Sequence, residues 1–405
     1  MPSREPPTAL VIGGGIVGLC VAYALQARGL GVTLFDAPGV RPPASWGNAG
    51  HIATEQTEPL ASWSTVRSLP RRLALFGGPA SFPPSAVLQW LPFGLRLFRA
   101  ARPATFVRGR QALGALLTEA LPAWRRVAES ACAQDLLREG GHIVAWESAA
   151  GARAGRKDLA GSETASVRWR DLTASEAALL GASLRRSPAD AVRFEGTASI
   201  GDPGAVLDAL RTAFLGRGGA FEARETTLAQ ARRADADLVV VAAGVRSRPL
   251  IRELGHKAPL IAERGYHIQS AETSWPKDLP PVVFEERALV ATRLLSGLRA
   301  TSFVEFSCAD APPDARKWGR LQAHAEALGL PFDSPAQTWF GSRPTLPDYL
   351  PAIGRSTRDP RVLYAFGHQH LGLTLGPITG EMVAALACGE PPPVDPAPFA
   401  IERFG

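Results

Sequence analysis

Gly13-x-Gly15-x-x-Gly18 stands between an apolar run, Ala9 to Ile12, and a helix-patterned run, Ile16 to Arg28. Such a turn uses glycine to reverse tightly, to let backbone approach a pyrophosphate, and to pack the following helix close on its strand. The anion then rests on the helix N-terminus, where free N–H groups and the helix dipole favour negative charge. Gly29 stops the helix, a second strand runs from Gly31 to Phe35, and Asp36 closes it 18 residues beyond Gly18, where a carboxylate can hold ribose hydroxyls. The whole reads as a βαβ dinucleotide site with Gly13, Gly15, Ile16, Val17, Gly18 and Asp36 as its binding residues. Two other sets of chemistry-bearing residues carry less. His368 and His370 have i, i+2 spacing without a neighbouring Cys or acid in a ligand pattern. Cys20, Cys132, Cys308 and Cys388 lie far apart with no C-x-x-C pair. Neither a metal site nor a disulfide framework is expected, and a reducing compartment fits.

The elements around these residues point to more than one domain. A chain of 405 residues exceeds one ordinary core, and 46% apolar with 20% charged residues is a globular balance. The net charge of +6 is spread over scattered arginines interrupted by acids, which fits a surface suited to anionic ligands and not nucleic acid. Thr8 to Leu25 is nearly uncharged, but its internal Gly-Gly-Gly and the Arg28-Gly29 turn into Val32–Phe35 argue against a signal or membrane segment. The expectation is a cytoplasmic protein with no transmembrane span.

After Asp36 a Pro-Gly-rich loop reaches to about residue 60. A Trp- and Leu-rich run at 82–102 and a helix over 108–131 read as a helical insert, and strands are expected at 142–146 and 191–195. Gly201-Asp202-Pro203 opens a helix with Asp202 as N-cap and Pro203 in the first turn. Ala236 to Ala243 reads as a continuous apolar strand ended by Gly244. Strands near 258–269, 281–291 and 299–307 predict a largely antiparallel sheet, and a helix is expected from about Pro377 to Ala387. An NAD domain usually continues its sheet directly with further βα units. The remote strand ending at Ala243 and Gly244, and the glycine-rich return over 367–380, suit a longer cofactor, FAD, gripped along its length.

Five stretches then resemble the D-amino-acid-oxidase-like FAD oxidoreductases, and among them the bacterial D-amino acid dehydrogenases: GGGIVG at 13–18, SWGNAGHI at 45–52, VVVAAGVRS at 239–247, GSRPTLPDYLPAIG at 341–354 and GHQHLGLTLGPITG at 367–380. The resemblance covers nearly the whole chain. It implies α/β and α+β architecture, with a Rossmann-type FAD-binding domain and a substrate domain built on a large mixed β-sheet. Residues 1–60, 190–255 and 335–405 are assigned to the former, 61–189 and 256–334 to the latter. One departure is Asp36, where the family more often has Glu.

The resemblance places Arg343 where the family binds the substrate carboxylate, a task suited to a planar bidentate guanidinium. Tyr266 lies on a strand whose family counterpart faces the substrate, and Arg343 and Tyr266 are the expected catalytic pair. Alternation puts His267 on the opposite face from Tyr266. His51 and His368 are the further substrate contacts. Asn48, Ala49 and Gly50 line one side of the flavin and Gly372, Leu373 and Thr374 its pyrimidine edge, with the positive end of the helix near Pro377 aimed at the C2 carbonyl. Cys388 does not occupy a position where relatives attach flavin, so FAD is expected to be non-covalent.

The Arg264-Gly-Tyr-His267 and GHQHLGLTL segments look most like D-hydroxyproline dehydrogenases, which puts D-proline or cis-4-hydroxy-D-proline first among substrates. Other D-amino acids, glycine and sarcosine stay open, as does an oxidase using O2. Electrons would pass to a quinone or dye-like acceptor. The run Trp90 to Phe98, with Arg96, Arg99 and Arg102 on roughly one helical side, reads first as a buried helix, with peripheral contact to the inner membrane as the alternative. A non-catalytic FAD-binding electron-transfer module is the reading from another class.

Overall fold

The computed structural model describes residues 7–39, 43–62, 78–161, 167–234, 236–333 and 336–405. Residues 40–42 of the expected Pro-Gly loop fall outside these. The N-terminal strand Thr8–Ile12 is the centre of a six-stranded sheet. On one side it pairs in parallel with Gly31–Phe35, which pairs with Ala220–Glu222; on the other it pairs with Leu238–Val241, then Val362–Phe366 in parallel and Ala352–Arg355 antiparallel. The continuous apolar character of Val239–Val241 and Val362–Phe366 follows from this position, since strands covered on both faces have no polar side to show.

A nine-stranded mixed sheet forms the second body. Its long antiparallel strands Ile261–Ser270, Gly297–Ser307 and Gln337–Thr345 meet the shorter Leu289–Leu294, Val282–Phe284, His142–Trp146, Asp190–Glu195 and Arg168–Asp171, with Ala80–Ser81 paired in parallel to the end of Gly297–Ser307. Two assigned segment boundaries shift. Asp190–Glu195 and Gln337–Thr345, assigned to the FAD segments, are strands of the large sheet. A small third sheet of His51–Ile52, Ala198–Ile200 and Leu137–Arg138 stitches the two bodies together. The capped helix over Pro203–Gly216 forms as its sequence requires: the Asp202 carboxylate accepts the N–H groups of Gly204 at 2.8 Å and Ala205 at 3.1 Å.

The C-terminal helix starts five residues earlier than expected, at Gly372, and runs to Cys388 with Pro377 inside it. Proline at 377 cannot donate to the carbonyl of Leu373, four residues back. That orphaned carbonyl is satisfied from outside the helix, because the fully buried Trp124 of helix Pro103–Ser130 donates its indole N–H to Leu373 O at 3.0 Å. Trp124→Phe keeps most of the ring and deletes the donor. We expect it to cost about 1–3 kcal/mol, the price of an unpartnered buried carbonyl, read as a lower midpoint of urea unfolding. A midpoint equal to the wild type would show that the proline gap is closed in another way. The same segment, residues 369–388, is the one stretch among the described residues long and apolar enough to cross a membrane, and it is a core helix instead, with 72% of its most apolar window buried.

Candidate active site

The glycine turn has the shape the sequence requires. Gly13 has φ of +115°, and a Cβ on it would overlap the Ala242 carbonyl; a Cβ on Gly18 would overlap the carbonyl of Gly13. Over Gly15 the space is open: a Cβ there would find Ser45 Oγ at 3.8 Å and Pro43 Cβ at 4.0 Å. Helix Ile16–Gln26 has no side-chain cap on Gly15, and Ser45 Oγ accepts the Ile16 N–H at 3.3 Å. Open space above a helix start that its own N-cap side chain does not close is what a pyrophosphate needs. Val17 follows Ile16 in the first turn of this helix. Asp36 sits against Gly14; burial pushes its carboxyl up, opposed by the Gly14 N–H and Arg211. Ala243 and Gly244 end strand Leu238–Val241, with Gly244 at φ +54° beginning a short 3-10 turn. The residues present therefore fit a dinucleotide.

The loop after Ser45 is clamped to the large sheet by two residues that the sequence did not single out as a pair. The buried Arg299 donates to the carbonyls of Trp46 at 2.9 Å and Asn48 at 2.6 Å, and its Nε donates to Gln269 Oε1 at 2.8 Å. His267 Nδ1–H donates to Gly47 O at 3.1 Å, while its ring stacks on Trp339 with centroids 5.0 Å apart. Burial, and then the charge of Arg299, hold the His267 imidazole down to about 3. Within the loop, Asn48 Oδ1 accepts the Gly50 N–H at 2.8 Å, Gly50 takes φ of +79°, and Ala49 lies between them. Ala53 N–H donates to Thr374 Oγ1 at 3.0 Å, joining this strand to the first turn of the C-terminal helix, where Gly372, Leu373 and Thr374 now stand. The positive end of that helix is at Gly372, not Pro377.

Strand register sorts the substrate candidates onto two faces. Glu263, Gly265 and His267 lie opposite Arg343, Gly341 and Trp339, so these six share the face that carries the Trp46–Asn48 clamp. Arg343 Nη1 donates to Phe303 O at 3.2 Å and lies 3.6 Å from Glu263 Oε1. Glu263 is held in turn by the hydroxyls of Thr345 at 3.0 Å and Tyr349 at 3.2 Å. The Phe303 carbonyl is aimed by a bulge: the pairing register shifts between Arg264 and Tyr266, and Phe303 takes the left-handed φ of +69° that few non-glycine residues adopt. Gly265 leaves the guanidinium its seat, since a Cβ there would overlap it.

Tyr266 is on the other face, contrary to its expected place beside Arg343. It is fully buried, donates to Glu305 Oε2 at 3.1 Å, and accepts from Arg264 and from the Asp314 N–H, each at 3.1 Å. It packs against Phe340 and Trp318, beneath helix Arg316–Leu328. Its partners make it a core tyrosine, and the period of two that separated it from His267 put His267 on the clamp side. His368 is likewise turned inward, with Nε2 against Thr379 Oγ1 at 2.9 Å. The histidine of that loop which does reach outward is His370. Its Nε2 meets Gln56 Oε1 at 2.5 Å, and the charges of Arg343 and His51 add to burial in lowering its imidazole.

His51 belongs to a group with no local signal. Its Nε2 lies 3.7 Å from Glu55 Oε2, and His142, from a strand of the large sheet, brings Nε2 within 4.0 Å of Glu55 Oε1. Burial pushes the Glu55 carboxyl up to about 8 and the His51 imidazole down to about 4. Glu55 also lines a cavity of about 360 Å³ with Gln56, Thr57, Phe194, Gln369 and His370.

Comparison with known proteins agrees with this geometry. Residues 8–386 match the model of the DAO family, described as FAD dependent oxidoreductase. The D-amino-acid oxidase of Bradyrhizobium diazoefficiens is 31% identical over 422 residues, covering 97% of this chain and 98% of that protein. D-amino acid dehydrogenase 2 of Ralstonia nicotianae is 28% identical, covering 97% and 99%. Among solved structures, glycine oxidase from Geobacillus kaustophilus matches with a TM-score of 0.72 at 18% identity over 99% of both chains. Iminodiacetate oxidase from Chelativorans sp. BNC1 matches with a TM-score of 0.70 at 19% identity, covering 97% and 98%. The glycine turn over open space, the remote strands that complete its sheet, and a match running through nearly the whole chain lead to one assignment: the protein belongs to the DAO family of FAD-dependent oxidoreductases.

Proposed function

We propose that the chain oxidises a D-amino or imino acid to the corresponding imine, with D-proline or cis-4-hydroxy-D-proline as first substrates. The observation that carries this reading is Arg343, a guanidinium held by Glu263 and the Phe303 carbonyl over a glycine, on the face that meets the 46–48 loop. Such a group binds a carboxylate and fixes the α-carbon relative to it. The chemistry FAD supplies when bound is acceptance of the Cα hydride at N5. The names of the two relatives, a D-amino-acid oxidase and a D-amino acid dehydrogenase, support the substrate class. A ring nitrogen yields an imine as readily as a primary amine does. His370, Gln56 and Thr57 give the cavity polar groups for a ring hydroxyl.

The test is the visible spectrum followed by anaerobic titration. A dissociable flavin, released into the supernatant by acid, should bleach with cis-4-hydroxy-D-proline or D-proline and not with the L-enantiomers. Bleaching by glycine, sarcosine or D-alanine alone would move the substrate. A yellow protein that no amino acid bleaches would be an electron-transfer module.

The acceptor reading is a quinone or dye-like molecule reached at the inner face of the cytoplasmic membrane. It is supported by helix Val87–Ala100, where the expectation of a buried helix fails: Phe93 is its one buried residue, while Leu88 is 84% exposed, Leu91 49% and Leu95 61%. These three fall on one helical face. From residue 59 to residue 118 the chain has eight arginines and no Asp or Glu, so this segment alone outweighs the net charge of +6. Apolar side chains beside arginines suit an anionic lipid surface. Wild type should sediment with anionic liposomes, and the triple change Leu88→Gln, Leu91→Gln, Leu95→Gln should weaken that binding at least tenfold with flavin absorbance unchanged. Wild-type protein left in the supernatant would remove the membrane from the reading.

A further inference from the structure

His51, Glu55 and His142 turn their ligand-capable atoms toward one another, with the two imidazole rings 4.3 Å apart between centroids. The separations of 3.7 Å and 4.0 Å are too long for hydrogen bonds. His51 Nε2 and Glu55 Oε2 are both buried and have no hydrogen-bond partner, in side chains that are only 9% and 10% exposed. Unpaired polar atoms at that depth are costly, and two of them side by side, with His142 Nε2 close to both, call for an occupant.

The surroundings specify the occupant. His142 is oriented from behind: its Nδ1 meets Thr197 Oγ1 at 3.0 Å and its ring stacks on Phe194 with centroids 4.6 Å apart, which leaves Nε2 directed at Glu55. An imidazole anchored through one nitrogen so that the other is presented is the usual arrangement of a metal ligand. All three ligand atoms lie within 4.8 Å of one another. A tetrahedral ion with bonds of 2.0–2.1 Å requires ligand atoms about 3.3 Å apart, so the two shorter separations need to close by well under 1 Å. Two imidazoles and one carboxylate are a donor set for zinc-like transition ions and not for calcium or magnesium. Glu55 also lines the 360 Å³ cavity, which leaves a fourth coordination position open to water or a ligand oxygen.

We propose that His51, Glu55 and His142 bind one divalent transition-metal ion of the zinc class, with its open position facing the cavity. His51 comes from strand His51–Ile52 after the flavin-side clamp, Glu55 from the turn that follows it and His142 from the large sheet, so the ion ties the two bodies together. The site stands whether or not the substrate is an amino acid.

The experiment uses FAD-loaded, chelator-treated protein in a Cys132→Ser, Cys388→Ser background, which removes the two exposed thiols as competing zinc ligands. Zinc is added, the protein is passed over a desalting column, and retained metal is counted per chain while titration calorimetry gives the affinity. About one zinc per chain is expected, with affinity falling tenfold or more in Glu55→Gln and in His142→Gln, and 10–100-fold in Thr197→Val through loss of the anchor. Zinc should also raise the unfolding temperature of the parent and not of Glu55→Gln. No retained zinc, or equal affinity in the parent and both ligand variants, would overturn the site. Flavin absorbance recorded on the same samples reports the FAD reading independently.

Discussion

Arg343→Ala is expected to lower kcat/KM by two orders of magnitude or more, with most of the loss in KM. The side chain supplies two parallel donors to a carboxylate, and its loss removes both the attraction and the alignment of the α-carbon. Arg343→Lys should recover little, because a point charge cannot reproduce the fork. The seat beneath the guanidinium gives a second route to the same result. Gly265→Ala would leave Arg343 in the sequence and push its head group aside, since the new methyl would occupy the guanidinium's place. We expect that variant to bind FAD normally, to unfold close to the wild-type temperature, and to show the KM rise of Arg343→Ala. Wild-type kinetics in Arg343→Ala would take the residue out of the site. Wild-type kinetics in Gly265→Ala alone would mean that the arginine works from another position.

Acid sensitivity is the second large effect. His267 and His368 are buried neutral imidazoles, each held down to about 3 chiefly by burial. In the unfolded chain an imidazole takes its proton near pH 6.5. Between these limits the unfolded state binds protons that the folded state refuses, so stability is fully present above about pH 6.5 and is lost as pH falls toward 3. Each imidazole contributes a slope of about 1.4 kcal/mol per pH unit, and two of them together remove about 3 kcal/mol per unit from a total that is typically 5–15 kcal/mol. The unfolding temperature of FAD-loaded protein should therefore drop steeply from pH 6.5 to 5. The buried imidazoles of His51, His142 and His370 are lowered too and add to the same slope, so His368→Gln, which can keep a hydrogen bond to Thr379, should reduce it by one imidazole's share, at some cost in stability at neutral pH. A flat profile over this window would contradict the burial of both rings. Glu55, raised to about 8, works in the opposite direction over the same range and offsets part of the loss.

Local features of the chain were legible because their causes are local. The glycine turn, the Asp202 cap and the apolar strand before Gly244 each depend on residues within a few positions of one another. Alternation correctly separated Tyr266 from His267, but a period of two does not say which face looks at the cofactor. That was decided by pairing with Gln337–Thr345, which places Trp339, Gly341 and Arg343 beside the face of His267. Pro377 read as a helix start because its missing donor normally breaks a helix, and the compensating donor is Trp124, distant in sequence. The expected substrate contact at His368 failed for a similar reason, since Thr379 on the C-terminal helix turns the ring inward. His51 and Glu55 stand four apart in the chain, yet nothing near them announces His142. Arg299 was one of many arginines until the Trp46 and Asn48 carbonyls gave it a task.

The order of strands in the six-stranded sheet has a bearing on biosynthesis. The strand that carries the glycine turn is synthesised before its partners, since one of its neighbours is residues 238–241 and the next strand outward is residues 362–366. Helix Gly372–Cys388, which covers helix Ile16–Gln26 so closely that Gly380 sits against the backbone of Cys20, is made later still. A nascent chain thus holds its glycine turn without these partners until they too have been made. We therefore expect a chain truncated before Gly372 to retain no flavin after desalting.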